Sequence, residues 1–375
     1  MRISTPASYT LSTSIAFTAL AGCGGVSQIA PTPLTQPAVA SPTIQRAVLQ
    51  DSHINGFLAM RAGVVSGRGT IGLSFMDPKA VGKPLVFVSY GGTIDIYLQG
   101  GKNKLVGQIT GPIGDDLATD TAGDLYSANE SFSSSTVTVY APPYTEGPKL
   151  TLTGRLSYPI AVSRQGTVAV LGCTNPSGSQ CTGGFLFYAA GSTTPCTTVV
   201  VDFSAFPNGI FGAAFDHKGN LYFDSAGSGT DAPLAVGKIA GGCKAKKSQT
   251  LTTTNTMVYA GGIKVNKARQ IAILAAIGTS PYQVVIYTYD PPKRGSLGSP
   301  VSTTPLPETI DNASGTFAFQ ASGRRLWSGY YGVGSSYISG AYEFAYPTGG
   351  APEKTIAGGP DLETLGVAVT PALIP

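Results

Sequence analysis

Leu117-Ala118-Thr119-Asp120-Thr121-Ala122-Gly123-Asp124-Leu125-Tyr126 and Ala213-Ala214-Phe215-Asp216-His217-Lys218-Gly219-Asn220-Leu221-Tyr222 are two copies of one pattern. Each reads as a short alternating strand, a polar turn holding a glycine, and a second apolar strand. The pattern returns at Ile160-Ala161-Val162-Ser163 before Gly166 and Val168-Ala169-Val170, and at Ile263-Lys264-Val265-Asn266 before Ile271-Ala272-Ile273. It returns again at Phe317-Ala318-Phe319-Gln320 before Gly323 and Leu326-Trp327, and a last time as Val367-Ala368-Val369-Thr370. The closing polar residues lie 43, 53, 50, 54 and 50 residues apart. A near-constant period of this length marks a repeat architecture.

Each unit continues into a third strand ending in tyrosine and a Gly/Pro turn, as in Ile94-Asp95-Ile96-Tyr97, Val137-Thr138-Val139-Tyr140 and Val284-Val285-Ile286-Tyr287. A fourth, Thr-rich strand such as Lys149-Leu150-Thr151-Leu152-Thr153 closes the unit. Four antiparallel strands in roughly 50 residues is the spacing of a propeller blade. The last copy supplies a first strand, and Leu85-Val86-Phe87-Val88 through Gln108-Ile109-Thr110 supplies the other three. Joined, they make one blade from both ends of the repeat array and remove the open sheet edges. Five internal blades and this shared one predict an all-β, six-bladed propeller over residues 81–375. Residues 44–80 read as an N-terminal extension that caps the propeller or adds an edge strand.

The form D-x-x-G-x-L-Y at Asp120 to Tyr126 and Asp216 to Tyr222 resembles the repeat of NHL and related six-bladed propellers, over roughly residues 80–375. Ser74-Phe75-Met76-Asp77-Pro78, followed by Val86-Phe87-Val88-Ser89, looks like propeller lipoproteins of environmental bacteria. These resemblances imply a fold and are nearly silent on activity. The Asp, Gly and Tyr of the repeat are structural: they set the turn, permit positive φ and fill space between blades.

Charged residues are only 12% of the 375, against roughly 25% in ordinary globular proteins, while apolar content at 42% is ample for a core. The net charge of +4 is small and spread along the chain. Lys244, Lys246 and Lys247 form the one basic cluster; it reads as a solvated loop, and no nucleic acid partner is expected. At the N-terminus, Arg2, the apolar stretch Leu11 to Leu20 and small residues have the layout of a secretory signal. Leu20-Ala21-Gly22-Cys23 resembles the lipobox of bacterial lipoproteins. By that resemblance residues 1–22 are removed and Cys23 carries the lipid. With no acidic residue after Cys23, the outer membrane is the expected address, periplasmic or cell-surface facing. Residues 23–43, rich in Pro, Ala, Thr and Ser, form an extended tether.

Export permits disulfides among Cys173, Cys181, Cys196 and Cys243, and four cysteines allow three connectivities. The preferred one joins Cys173 to Cys181 across a loop within one blade, and Cys196 to Cys243 between neighbouring blades. No C-x-x-C or histidine cluster accompanies them, which argues against zinc or thioredoxin-like chemistry. The only histidines, His53 and His217, lie before the propeller and in a strand-connecting turn. No G-x-S-x-G, H-E-x-x-H or Walker sequence occurs, and Gly67 to Gly72 matches G-x-G-x-x-G without the βαβ context that would give it meaning.

Polar residues leading into the innermost strands are Asp115, Asp116, Asn208, Asp311, Asn312, Asp361 and Glu363; loops after second strands on the same face add Tyr90, Asn129, Asp224 and Tyr330. They surround one mouth of the central channel and are the candidate binding residues. Asx residues also cap strands and turns there for backbone reasons. Two functions follow. The first is a non-enzymatic binding or scaffold module for an envelope protein, glycan or small ligand, monomeric and without cofactor. The second is a metal-dependent lactonase or esterase resembling gluconolactonase-like propellers, with calcium held by Asp115, Asp116 and Asp361. Three carboxylate or amide groups converging on the axis favour the second; an axis lined by Ala, Val and Ser favours the first.

Overall fold

Successive side chains of a strand point to opposite faces of its sheet, so Val168 and Val170 must pack on one side and Ala169 on the other. A computed structural model of the chain describes residues 74–90, 92–111, 114–129, 135–173, 183–206, 209–226, 232–278, 283–306, 313–331, 338–360 and 364–371. In it Val168 and Val170 join one apolar cluster and Ala169 the next. The same split runs through Leu85 and Phe87 against Val86 and Val88. Each sheet is therefore apolar on both faces and must be flanked on both.

Six sheets of this kind make the ring, each antiparallel across its four blade strands, with Ser296–Gly298 added in parallel to the third internal blade. The internal blades begin with Asp116–Thr119, Leu125–Asn129, Ser135–Tyr140 and Leu150–Gly154. Next come Leu156–Val162, Val168–Cys173, Gly183–Tyr188 and Pro195–Val200, then Gly212–Phe215, Leu221–Ala226, Ala232–Ile239 and Ser248–Thr253. The fourth has Tyr259–Val265, Ile271–Ile277, Gln283–Tyr289 and Ser302–Pro305, and the fifth Ala313–Phe319, Arg325–Tyr331, Ile338–Ala345 and Lys354–Pro360. The shared blade takes its inner strand, Thr364–Thr370, from the end of the chain and pairs it with Leu85–Tyr90, from Leu85 opposite Thr370 to Tyr90 opposite Thr364. Thr93–Leu98 and Leu105–Thr110 complete it, and Phe75–Met76 adds a fifth strand on the outer edge. That short strand is where residues 74–80 meet the propeller; the rest of the N-terminal extension, the tether and the signal lie outside the described residues.

Six apolar clusters fill the six gaps between neighbouring blades. Aromatic rings do much of the filling: Phe87 meets Tyr144 edge-on at 5.2 Å, and Phe185 meets Phe223 at 5.1 Å, both across blade boundaries. Each such fully buried side chain contributes about 1.5–3 kcal/mol. Cys196 and Cys243 form a disulfide that ties the outer strand of the second internal blade to the third. Cys173 is also disulfide-bonded.

The inner strands all run from one face of the ring, here called upper, to the lower face. At the lower face the repeat turns show why Asp and Gly recur. Asp120 Oδ1 accepts from the backbone N–H of Ala122 and Asp124, and Tyr126 donates its hydroxyl to Asp120 Oδ2. Asp216 receives the same three bonds from Lys218, Asn220 and Tyr222. Three residues after the closing polar residue of each internal blade the chain turns left-handed, with glycine at 123, 166, 219 and 323 but Arg269 in the fourth internal blade, at φ 67°. Left-handed backbone costs a residue with a Cβ about 1–2 kcal/mol.

A matched pair of substitutions tests this. Gly219→Ala, where an added Cβ would meet nothing within 4 Å, is expected to lose about 1 kcal/mol by strain alone. Arg269→Gly should gain up to about 1 kcal/mol, both read by denaturant unfolding. Equal, small effects of one sign would contradict the turn assignment.

Candidate functional site

At one register position the six inner strands carry Ala118, Ala161, Ala214, Ala318 and Ala368, with Lys264 in the remaining blade. These residues line the central channel together with Leu117, Ile160, Val162, Val265, Val369 and their neighbours. The cavity is narrow, about 80 Å³, space for a few waters. Lys264 is the one charged side chain in its lining. Stacking the repeats by their closing polar residue reveals Lys264 as the substitution in an otherwise uniform alanine position, a signal present in the sequence.

Asp116 begins the inner strand of the first internal blade and Asp115 immediately precedes it; both are buried. Asp116 Oδ1 accepts from its neighbour Leu117 N–H and Oδ2 from Ile160 N–H on the next inner strand, each at 2.9 Å. Its carboxylate thereby stitches two blades together. Asn129 is the last residue of its strand and is buried; its amide bonds to Ser127, Thr136 and Thr138 of the same blade. Tyr90 and Tyr330 lie within second strands and are buried, not borne on loops after them. Burial pushes both phenols well above their ordinary range. Tyr330 stacks on Tyr342 at 4.0 Å with the rings 14° apart. Asn208, Asp311, Asn312, Asp361 and Glu363 lie outside the described residues, as do Cys23 and Cys181.

Asp224 is the exception in kind. It sits inside the second strand of the third internal blade, not in the loop beyond, opposite Gly212 and with no exposed surface. Neither carboxyl oxygen has a hydrogen-bond partner among the described residues. Desolvation holds its pKa well above the usual carboxylate range; the nearby Gly212 and Asp224 backbone N–H groups and the Lys264 charge offset only part of that. Gly212 makes the room. A Cβ there would come within 2.8 Å of Asp224 Oδ1 and 2.4 Å of Ile263 N.

The class these observations define is a six-bladed β-propeller, closed by a blade shared between distant parts of the chain, with an alanine-lined waist. No family model matches the chain, and no curated protein matches its sequence. Among solved structures, it is similar to TolB from Acinetobacter baumannii, with 12% identity over 76% of this chain and 66% of that one and a TM-score of 0.49. It is similar too to a candidate 6-phosphogluconolactonase from Bacteroides uniformis, with 13% identity over 79% and 87% and a TM-score of 0.47. Likenesses at this level carry no argument about activity, and the propeller assignment rests on the strand pairing.

Two outcomes are expected here. Asp116→Ala leaves the buried Ile160 N–H without its acceptor and should cost about 1–3 kcal/mol in denaturant unfolding; a change under a few tenths would remove its stitching role. Asp224 keeps its proton to higher pH in the folded than in the unfolded chain. Stability should therefore fall as pH rises above about 4, by at most about 1.4 kcal/mol per pH unit. Asp224→Asn removes that slope, so its stability relative to the parent should grow from pH 4 to pH 7. Parallel pH curves for the two proteins would contradict a neutral Asp224.

Proposed function

We propose that the protein is an exported, lipid-anchored propeller of the cell envelope, acting as a binding or scaffold module through its upper face. Its partner class is an envelope protein, a glycan or a small ligand. The observation that carries the reading is the waist of small apolar side chains. A metal centre of the gluconolactonase-like kind needs several oxygen ligands converging on the axis. Among the described residues no three His, Cys, Asp or Glu come together, and both oxygens of Asp116 are occupied by backbone N–H groups. The hydrolase alternative would rest on Asp361 and the other upper-face residues outside the described set. The anchor rests on Leu20-Ala21-Gly22-Cys23; among the described residues no helix is long and apolar enough to cross a membrane.

The test has two arms. Elemental analysis of the purified full chain should find divalent metal far below one equivalent, and chelator should leave thermal unfolding unchanged. One equivalent of calcium, lost on Asp115→Ala or Asp361→Ala, would instead establish the hydrolase reading and direct a lactone and ester screen. Radiolabelled palmitate fed to an expressing bacterium should enter the wild-type chain and not Cys23→Ala; equal labelling, or none, would remove the anchor.

A further inference from the structure

The lysines and arginines are scattered in the sequence, but blade topology gathers them. Every turn between an inner and a second strand, and every loop between a third and a fourth, falls on the lower face. Arg164, Lys218, Lys267, Arg269 and Arg324 occupy those turns around the axis, all exposed. Lys244, Lys246, Lys247, Lys293 and Arg294 stand exposed on the outer loops. Of the described lysines and arginines, Arg155 alone lies at the upper end, where Asp115, Asp116 and Asp202 are found. The propeller is thus electrically polar along its axis despite a net charge of only +4.

Acidic residues on the lower face offset this only in part. Asp77, Asp124 and Glu353 pair with Lys104, Lys149 and Arg325 at 3.5, 2.6 and 2.6 Å, Asp120 and Asp216 hold turn backbone, and Glu146 and Asp290 stand exposed. None of the ten exposed basic residues just named enters an ion pair among the described residues. A second observation coincides with the charge. Of the large hydrophobic side chains left exposed, Val81 at 45%, Leu105 at 42% and Val301 at 52% lie at this same face. Cationic side chains interspersed with apolar ones suit the boundary between lipid headgroups and acyl chains. A hydrated polyanion such as duplex nucleic acid would use the cations but gain nothing from exposed valine and leucine.

We infer that the lower face docks on an anionic phospholipid surface, leaving the upper face projecting away from the membrane. This rests on the envelope reading for which membrane is met, and on the surface itself for the docking. Each basic group held near such a surface adds attraction that decays within a Debye length, so the binding is salt-sensitive.

The experiment uses the full chain carrying Cys23→Ser, so that no acyl group contributes. Co-sedimentation with vesicles of equal phosphatidylglycerol and phosphatidylcholine should exceed that with pure phosphatidylcholine at least about tenfold at physiological salt. Lys218→Glu, Lys267→Glu, Arg269→Glu and Arg324→Glu together should bring it to the phosphatidylcholine level, whereas Arg155→Glu leaves it unchanged. Val81→Ser with Leu105→Ser should weaken it several-fold, with circular dichroism confirming that every variant is folded. Equal partition into both vesicles, retention by the charge-reversed variant, or indifference to the Val81 and Leu105 changes coupled with tighter binding to duplex DNA would each overturn the inference. Palmitate labelling of the wild-type chain is scored separately. Labelling without vesicle binding sinks the docking surface and spares the anchor; binding without labelling does the reverse.

Discussion

Apolar side chains alternating to both faces of every blade are what the rest of the molecule depends on. A sheet that is apolar on two sides cannot stop at a solvent boundary; it needs a neighbour before it and one after it. Repetition satisfies this for interior blades, and only closure satisfies it for the terminal ones. The pairing of Thr364–Thr370 with Leu85–Tyr90 provides that closure and at the same time buries Val86, Val88, Val367 and Val369 against Trp327 of the fifth internal blade. Six gaps, each with its own apolar cluster, replace the single core of an ordinary domain.

The same constraint explains where polar groups are tolerated. Near the upper ends of the inner strands the blades approach closely, and three of them show how a side chain is accommodated there. In the first internal blade Asp116 is on the inner strand, opposite the small Ala128. In the third the arrangement is inverted, with Gly212 inside and Asp224 on the second strand. The shared blade follows the third, with Gly366 inside and Ser89 opposite. A carboxylate that meets Ile160 N–H is a stitch. The fully buried Asp224 carboxyl, only partly offset by nearby N–H groups and Lys264, has its pKa raised well above the usual range by desolvation. Two aspartates at the same level of one ring thus meet different surroundings, set by which strand each comes from.

Function follows from what the ring leaves at its two faces. The waist is narrow, lined by alanine, other apolar side chains and one lysine. Upper and lower faces differ in charge because strand direction repeats from blade to blade: a residue type favoured in one kind of connection is delivered to one side of the ring six times. Lys244, Lys246 and Lys247, taken alone, describe a solvated loop. Blade topology brings them to the same face as the basic turns around the axis.

The fold class, the blade count, the shared closing blade and the structural part played by Asp, Gly and Tyr in the repeat were all determined by the sequence itself. Their signals are local, being period-two alternation and turn chemistry repeated at a near-constant spacing. The pairing of Cys196 with Cys243 was narrowed to a preference and needed the approach of two blades to become a bond. The candidate site was less legible. Asp116, Asn129, Asp224, Tyr90 and Tyr330 read as polar groups near a mouth, but which of them is buried, bonded or neutral depends on partners one blade or one strand away. Only tertiary structure decided those states, along with the alanine waist and the separation of charge between the faces. The physical reason is common to all three: desolvation and electrostatic fields act through space, and blade packing brings together residues that lie tens to hundreds of positions apart along the chain.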